Sequence, residues 1–229
     1  MTLLDTAMNK ASDDTASDDT SPNAIADLAT GTTLISRSID SLVEQGWAQQ
    51  DDFLPAPLSA ALAAECLALT ERGQLKFAGV GRGAAQQLRP DIRGDRIQWL
   101  KHGQSPACDE YLALMDSLRT ALNQSLYLGL EEYESHFAYY PTGAFYQKHL
   151  DRFRDDDRRT VSVVIYLNAD WQAADGGALR LHPQDKPTED ILPLAGRMAM
   201  FMSADLLHEV LPATRDRMSI AGWFRRRAN

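Results

Sequence analysis

The stretch that decides the fold is residues 146–151, Tyr-Gln-Lys-His-Leu-Asp, which lies among several short β-rich runs. Side chains two residues apart in an extended strand point to the same side, so His149 and Asp151 can reach one metal ion together. A His-x-Asp spacing is common, however, and it also fits a surface histidine beside a solvated aspartate. The remainder of the sequence must therefore supply a third ligand.

That ligand has to come from another strand, and His208 is the preferred candidate because it lies in the strand-like run at 206–211. His182, which is closer in sequence to the pair, is the alternative. Two histidines and one carboxylate on one face of an octahedral ion leave three positions open, as in non-haem Fe(II) oxygenases. Two of these positions suit a chelating co-substrate, and the third suits O₂.

Arg217 follows nine residues after His208 and shares one face of the last predicted strand with Ser219 and Trp223. A planar guanidinium binds a carboxylate through two parallel hydrogen bonds. An arginine that points into a barrel needs an anionic partner, and the distal carboxylate of 2-oxoglutarate is a suitable one. Arg215 fits the exposed position of the same turn.

Working outward, the second half of the chain predicts strands at 133–140, 159–167, 178–182, 197–202, 208–211 and 218–225. The first half predicts helices that end near Gly46 and Gly73, a third helix over 106–130, and a short strand at 47–54. Residues 88–100 read as an extended segment with a turn at 93–95. Helices followed by many short strands indicate a mainly β fold, a sandwich or barrel with supporting helices.

The 229 residues predict one domain over 31–229, with helical support at 31–132 and the β core at 133–229. Residues 1–30, rich in Asp, Ser, Thr and Ala, are expected to form a disordered tail. The net charge of -9 disfavours nucleic acid as a partner. No apolar run or leader pattern indicates a membrane or secretion, which predicts a cytoplasmic location. Cys66 and Cys108 read as core thiols.

At their observed spacing, His149, Asp151, His208 and Arg217 resemble the 2-oxoglutarate oxygenase superfamily. The surrounding motifs are similar to those of the hypoxia-inducible factor prolyl hydroxylases, from about residue 40 to the last strand. These motifs are Tyr140-Pro141, Tyr146-x-x-His149-x-Asp151, Tyr166-Leu-Asn-x-Asp-Trp171, Gly176-Gly-x-Leu-Arg180, His208-Glu-Val-x-Pro212 and, upstream, Asp91-Ile-Arg-Gly-Asp-Arg-Ile-x-Trp99.

The resemblance implies a double-stranded β-helix core, of the jelly-roll or cupin-like kind. It also implies Fe(II)-, 2-oxoglutarate- and O₂-dependent hydroxylation of a prolyl residue in a protein, with release of succinate and CO₂, and it raises ascorbate as a further cofactor. In such a site Tyr166 would donate to the distal carboxylate beside Arg217. Tyr140 and Leu179 would line the co-substrate pocket.

Substrate contacts are implied as well. Arg93, Asp95 and Trp223 would shape a peptide groove, and residues 79–95 would form a finger loop that closes over it. For the substrate-contacting arginine, alignment gives Arg159 whereas strand parity with the Tyr166 strand gives Arg158, and the prediction takes Arg159. Bacterial relatives modify elongation factor Tu, which makes that protein the implied partner.

Three other functions fit part of the pattern. An oxygenase for a free amino acid or small molecule would share the triad and Arg217, although the long segment before Trp99 suits a polypeptide better. A nucleic-acid demethylase would share them too, but the acidic charge disfavours it. A barrel that only binds or senses would need neither metal nor turnover.

Overall fold

The computed structural model describes residues 22–81, 87–152 and 156–227, and side chains from residue 31 onward. Its helices are α1 (Pro22–Gln45), α2 (Ala56–Glu71) and α3 (Pro106–Leu126). The strands are β1 (Trp47–Gln50), β2 (Lys76–Phe77), β3 (Arg96–Trp99), β4 (Leu130–Tyr140), β5 (Tyr146–His149), β6 (Arg159–Tyr166), β7 (Leu179–His182), β8 (Glu189–Ile191), β9 (Met198–Met202), β10 (Leu207–Val210) and β11 (Arg217–Arg226).

The strands form two antiparallel sheets that pack face to face. The larger sheet has the order β1-β9-β6-β11-β4-β3-β2, and the smaller one has the order β5-β10-β7-β8. Strands distant in sequence are neighbours in both sheets, as in a jelly roll. The predicted fold class, mainly β with supporting helices around a double-stranded β-helix core, is therefore confirmed.

Strand alternation divides the interior into two cores. On β4, Phe137 faces the helices, whereas Ala138 faces the smaller sheet. On β9, Met200 and Phe201 are divided in the same way. The helices thus cover one face of the larger sheet, and the other face is left to line a cavity against the smaller sheet.

The termini of α3 have local causes. Ser105 accepts a hydrogen bond from the backbone N–H of Cys108, and Pro106 begins the helix. The helix ends at Leu126 rather than near residue 130, because Tyr127 takes a left-handed conformation with φ of 54°. Within the described residues, no helix has the length and apolarity to cross a membrane.

The structure differs from the predictions in three places. Helix α1 begins at Pro22, inside the segment predicted as a tail, and residues 1–21 lie outside the described residues. Strands β1, β2 and β3 come from the predicted helical half but join the larger sheet. The turn predicted at 93–95 is wrong: the chain turns at 90–92, where the Ile92 amide bonds the Arg89 carbonyl, and Arg93 pairs with Tyr146.

Candidate metal centre and its cavity

Three side chains that can hold a metal ion meet between β5 and β10. His149 and His208 lie directly opposite each other in the ladder that joins these strands, and Asp151 follows two residues after His149. The three ligand atoms lie within 4.8 Å of one another. The structure therefore brings together the three residues predicted as ligands.

Hydrogen bonds set the orientation of both imidazole rings. The Nδ1 atom of His149 lies 2.7 Å from the carbonyl oxygen of Gln147, and Nδ1 of His208 lies 3.0 Å from that of Leu206. Because a carbonyl only accepts, Nδ1 must carry a proton in each ring, which leaves Nε2 as the nitrogen that can bind a metal ion. Burial lowers the pKa of His208 to about 4, which favours the neutral form that binds metal.

Asp151 is held ionised in a half-buried position. Its Oδ1 lies 3.5 Å from Nε2 of His149, and its Oδ2 lies 3.6 Å from Nε2 of His208. The Ser162 hydroxyl donates to Oδ2 at 2.7 Å and contacts the Ser203 hydroxyl at 2.8 Å. Burial raises the pKa of Asp151, but His208 and His149 outweigh it and hold that pKa well below its usual range. Two nitrogens and a carboxylate on one side fit a divalent iron.

His182, the alternative third ligand, lies outside this group. In the ladder between β7 and β10, His182 pairs with Leu207, whereas His208 pairs with the neighbouring Leu181. The Nε2 atom of His182 instead contacts the Glu209 carboxylate at 2.9 Å. The period of two in a strand therefore turns His182 away from the site.

Arg217 lies buried at one end of the cavity, 1% exposed. Its Nε donates to the Gly177 carbonyl at 2.9 Å, and NH1 lies 3.4 Å from the Ser219 hydroxyl. Among the described residues no carboxylate pairs with this guanidinium, and a buried charge without an anion is costly. The end of the cavity at Arg217 therefore fits a ligand carboxylate.

The aromatic neighbours of Arg217 also fit a carboxylate site at this end of the cavity. Its guanidinium carbon lies 5.1 Å from the ring centre of Tyr140 and 5.2 Å from that of Tyr166. The Tyr166 hydroxyl is buried and has no hydrogen-bond partner within the described residues. A buried hydroxyl normally has one, so this orphaned donor suits the same carboxylate. Leu179 lines the cavity nearby. Tyr140, Tyr166 and Leu179 therefore lie close to the Arg217 end of the cavity.

The cavity has a volume of about 500 Å³ and extends from Arg217 past the metal ligands to Trp223. At this outer end the guanidinium carbon of Arg159 lies 3.6 Å from the Trp223 ring centre. Arg159 also donates to Glu134 at 2.9 Å, so the arginine plane is fixed over the indole.

A β-bulge in β6 sets the direction of the Arg159 side chain. Phe224 pairs with Val161, but the next residue of β11 pairs with Arg159, so β6 carries one extra residue there. Side chains alternate between the two faces of β6, and the extra residue reverses this alternation relative to a count that starts at Tyr166. The Arg159 side chain therefore points into the cavity. Arg158 also reaches the cavity wall, where it pairs with Asp156 at 2.9 Å.

Arg93 and Asp95 lie beside β5. They form a two-point ion pair with distances of 2.6 and 2.8 Å, and Asp95 is fully buried. Gly79 and Gly81 of the predicted finger loop line the cavity, while residues 82–86 of that loop lie outside the described residues.

Sequence reasoning missed several cavity residues. His136 and Trp99 pack against Trp223, and burial lowers the pKa of His136 to about 4. Glu134 holds Arg159, and Ser162 holds Asp151. Trp99 ends the upstream motif, whereas no motif marks His136, Glu134 or Ser162. His136 and Glu134 share strand parity with Tyr140 on β4, which could have indicated the same face.

Comparisons with known proteins agree with this site. Residues 135–225 match the family described as the 2OG-Fe(II) oxygenase superfamily. The chain belongs to this superfamily, whose cofactors are Fe(II) and 2-oxoglutarate, with O₂ as the oxidant.

The most informative relatives are prolyl hydroxylases. A prolyl-4-hydroxylase of Pseudomonas putida shares 53% identity with a TM-score of 0.77, and the match covers 85% of this chain and 100% of that one. A Trichoplax adhaerens prolyl hydroxylase, solved with a hypoxia-inducible factor peptide fragment, shares 30% identity with a TM-score of 0.77 and coverages of 87% and 92%. Within the superfamily, the chain therefore belongs with the prolyl hydroxylases.

Human Egl nine homolog 1 is 33% identical over 183 residues, which cover 76% of this chain and 42% of that protein. The chain spans about half the length of the curated mammalian relatives it matches.

Proposed function

We propose that this chain is a dioxygenase that hydroxylates a prolyl residue of a protein substrate, using Fe(II), 2-oxoglutarate and O₂. The single observation that carries the proposal is the shared cavity. The His149, Asp151 and His208 ligand group lines the same space as the Arg217 guanidinium, with which no carboxylate of the described residues pairs. A metal triad and an anion site on one cavity suit a chelating co-substrate with a second carboxylate.

Different side chains bind the co-substrate and the metal ion. Arg217 and the Tyr166 hydroxyl hold the distal carboxylate of 2-oxoglutarate, and Tyr140 and Leu179 line the cavity beside it. His149, Asp151 and His208 hold the iron through two neutral nitrogens and one carboxylate. When bound, iron and co-substrate supply the oxidation that places one oxygen atom of O₂ on carbon and leaves succinate and CO₂.

The outer end of the cavity is proposed to receive the polypeptide. Arg159 is stacked on Trp223, so it presents donors to a peptide with little loss of side-chain entropy. Arg93 lines the same cavity and is held in place by the buried Asp95 carboxylate. The peptide bound in the Trichoplax adhaerens relative supports a protein substrate here. We further propose cytoplasmic elongation factor Tu as the substrate, by the family resemblance, and ascorbate as the reductant that maintains Fe(II).

The test is succinate production from 2-oxoglutarate with Fe(II), measured with and without purified elongation factor Tu. The protein should stimulate turnover, and one prolyl peptide should gain the mass of one oxygen atom. The variant His208→Ala should be inactive because it lacks one of the three ligands. Free proline at the same concentration is the comparator for a small-molecule activity.

Three results would contradict parts of this proposal. Stimulation by free proline equal to that by protein would favour the small-molecule oxygenase. Stimulation by a cytosolic extract but not by elongation factor Tu would reject the named partner only. Equal silence of wild type and His208→Ala under all conditions would favour a binding module.

A further inference from the structure

We propose that Arg93 and Tyr146 are positioning residues for the metal ligand His149, and that through them residues 91–95 are coupled to the metal centre. This inference rests on the proposed function, because it takes the His149 group to bind a metal ion. It goes beyond a role for Arg93 and Asp95 in shaping the peptide groove.

The first support is backbone pairing. Strand β5, which carries His149, lies at the edge of the smaller sheet. The Gly94 amide donates to the Phe145 carbonyl at 3.0 Å, and the Gln147 amide donates to the Ile92 carbonyl at 2.9 Å. The Gln147 side chain also donates to the Asp91 carbonyl at 2.8 Å. Residues 91–94 thus extend the smaller sheet beyond β5, and β3 of the larger sheet follows directly.

The second support is a fixed cation. Asp95 is fully buried, and its two oxygens accept from Nε and NH2 of Arg93 at 2.6 and 2.8 Å. Such a two-point pair specifies the direction of the guanidinium as well as its distance. The Arg93 side chain is 14% exposed, so solvent has little access to compete for it.

The third support is a contact path to the metal ligand. The guanidinium carbon of Arg93 lies 4.6 Å from the ring centre of Tyr146. The Tyr146 ring in turn is stacked on the His149 imidazole, with ring centres 3.6 Å apart and planes inclined by 16°. The Gln147 carbonyl that fixes the His149 tautomer belongs to the same paired segment.

These contacts restrict the His149 ring in two ways. The Gln147 carbonyl fixes its rotation through Nδ1, and the Tyr146 ring supports its plane. Partners behind metal ligands commonly change metal affinity by about 10- to 100-fold when they are removed. Because coupling between sites is reciprocal, a metal held by His149 must also stabilise residues 91–95 in their paired position. The base of the finger loop is thereby linked to occupancy of the metal site.

The test is titration of the full chain with Co(II), followed by its visible absorption. In Tyr146→Leu the stacked ring is lost, and Co(II) affinity should fall about tenfold with a changed absorption band. Tyr146→Phe keeps the ring and should restore most of the affinity. The double variant Arg93→Gln with Asp95→Asn removes the ion pair without leaving a buried charge unpaired, and its affinity should also fall.

Tyr139→Leu is the matched control. Tyr139 lies on the face of β4 that points away from the metal cavity, and its hydroxyl bonds Asp216. Its Co(II) affinity should equal that of wild type, and thermal melts without metal check that every variant folds. If Tyr146→Leu and the double variant both bind Co(II) within twofold of wild type, this inference is overturned while the proposed function stands. A wild type that binds no Co(II) would overturn the proposed function and this inference with it.

Hydrogen exchange gives a second measurement that requires no variant. Addition of Co(II) should slow exchange of the Gly94 and Gln147 amides, which bond across residues 91–95 and β5. The Gly143 amide, bonded to the Ala213 carbonyl, is the internal reference. Equal exchange at Gly94 and Gln147 with and without metal would overturn the coupling.

Discussion

The guanidinium carbon of Arg217 lies 5.2 Å from the ring centre of Tyr166, and the Tyr166 hydroxyl is buried without a partner within the described residues. The two side chains come from adjacent strands, since Ser219 of β11 pairs with Tyr166 of β6. A cation and a buried hydroxyl donor lie close together here, and no anion from the described part of the chain lies between them. They define where a carboxylate should bind.

The first prediction concerns this end of the cavity. Arg217→Met should raise the KM for 2-oxoglutarate about 10- to 100-fold, because a charge-assisted two-point contact is lost. Arg217→Lys should recover only part of the affinity, since an ammonium cannot form the planar pair. Succinate production as a function of 2-oxoglutarate concentration measures both. Arg215→Met, at an exposed neighbour, is the control, and an equal effect there would reject the assignment.

The second prediction separates the two candidate third ligands. His208→Ala should abolish Co(II) binding, followed by visible absorption, because one of three ligands is lost. His182→Ala should bind Co(II) as wild type does, since its Nε2 contacts Glu209 rather than the metal group. The reverse result would make His182 the ligand.

The third prediction concerns the packing beneath β11. A Cβ placed on Gly222 would lie 2.2 Å from the hydroxyl of Tyr133, a half-buried side chain that is bonded to the Tyr111 hydroxyl. Gly222→Ala should therefore lower the free energy of unfolding by about 1–3 kcal/mol. Denaturant titration measures the loss.

Gly31 in α1 offers the matched control, because a Cβ there meets nothing within 4 Å. Gly31→Ala should leave stability unchanged or raise it by up to about 1 kcal/mol, as alanine favours the helix. Equal stability of the two variants would show that Tyr133 can move at no cost.

The fourth prediction concerns the thiols. Cys66 and Cys108 are both fully buried and unpaired, and burial raises the pKa of Cys66 to about 12 and that of Cys108 to about 11. Because the thiolate is the reactive form, neither should react with a thiol reagent in the native protein below about pH 9. Both should react once guanidinium unfolds the chain. Rapid native reaction of either thiol would mean that its surroundings open.

Strand alternation explains how much of the site could be predicted from the sequence. The period of two placed His149 beside Asp151 and placed Arg217 on the same face as Trp223. The helix stops at Gly46 and Gly73 and the helical period of α3 were likewise local signals. The family could also be predicted from the sequence, because the residues of each quoted motif are contiguous or nearly so along the chain.

Only the tertiary structure decided the relationships between distant strands. The direction of Arg159 depends on one extra residue in β6, and the grouping of His208 rather than His182 with His149 depends on which residue faces His149 across the ladder. The stack of Arg93 and Tyr146 behind His149 depends on residues 91–94 pairing with β5. Strand register and the positions of bulges depend on side-chain packing across whole sheets. A short window of sequence does not contain that information.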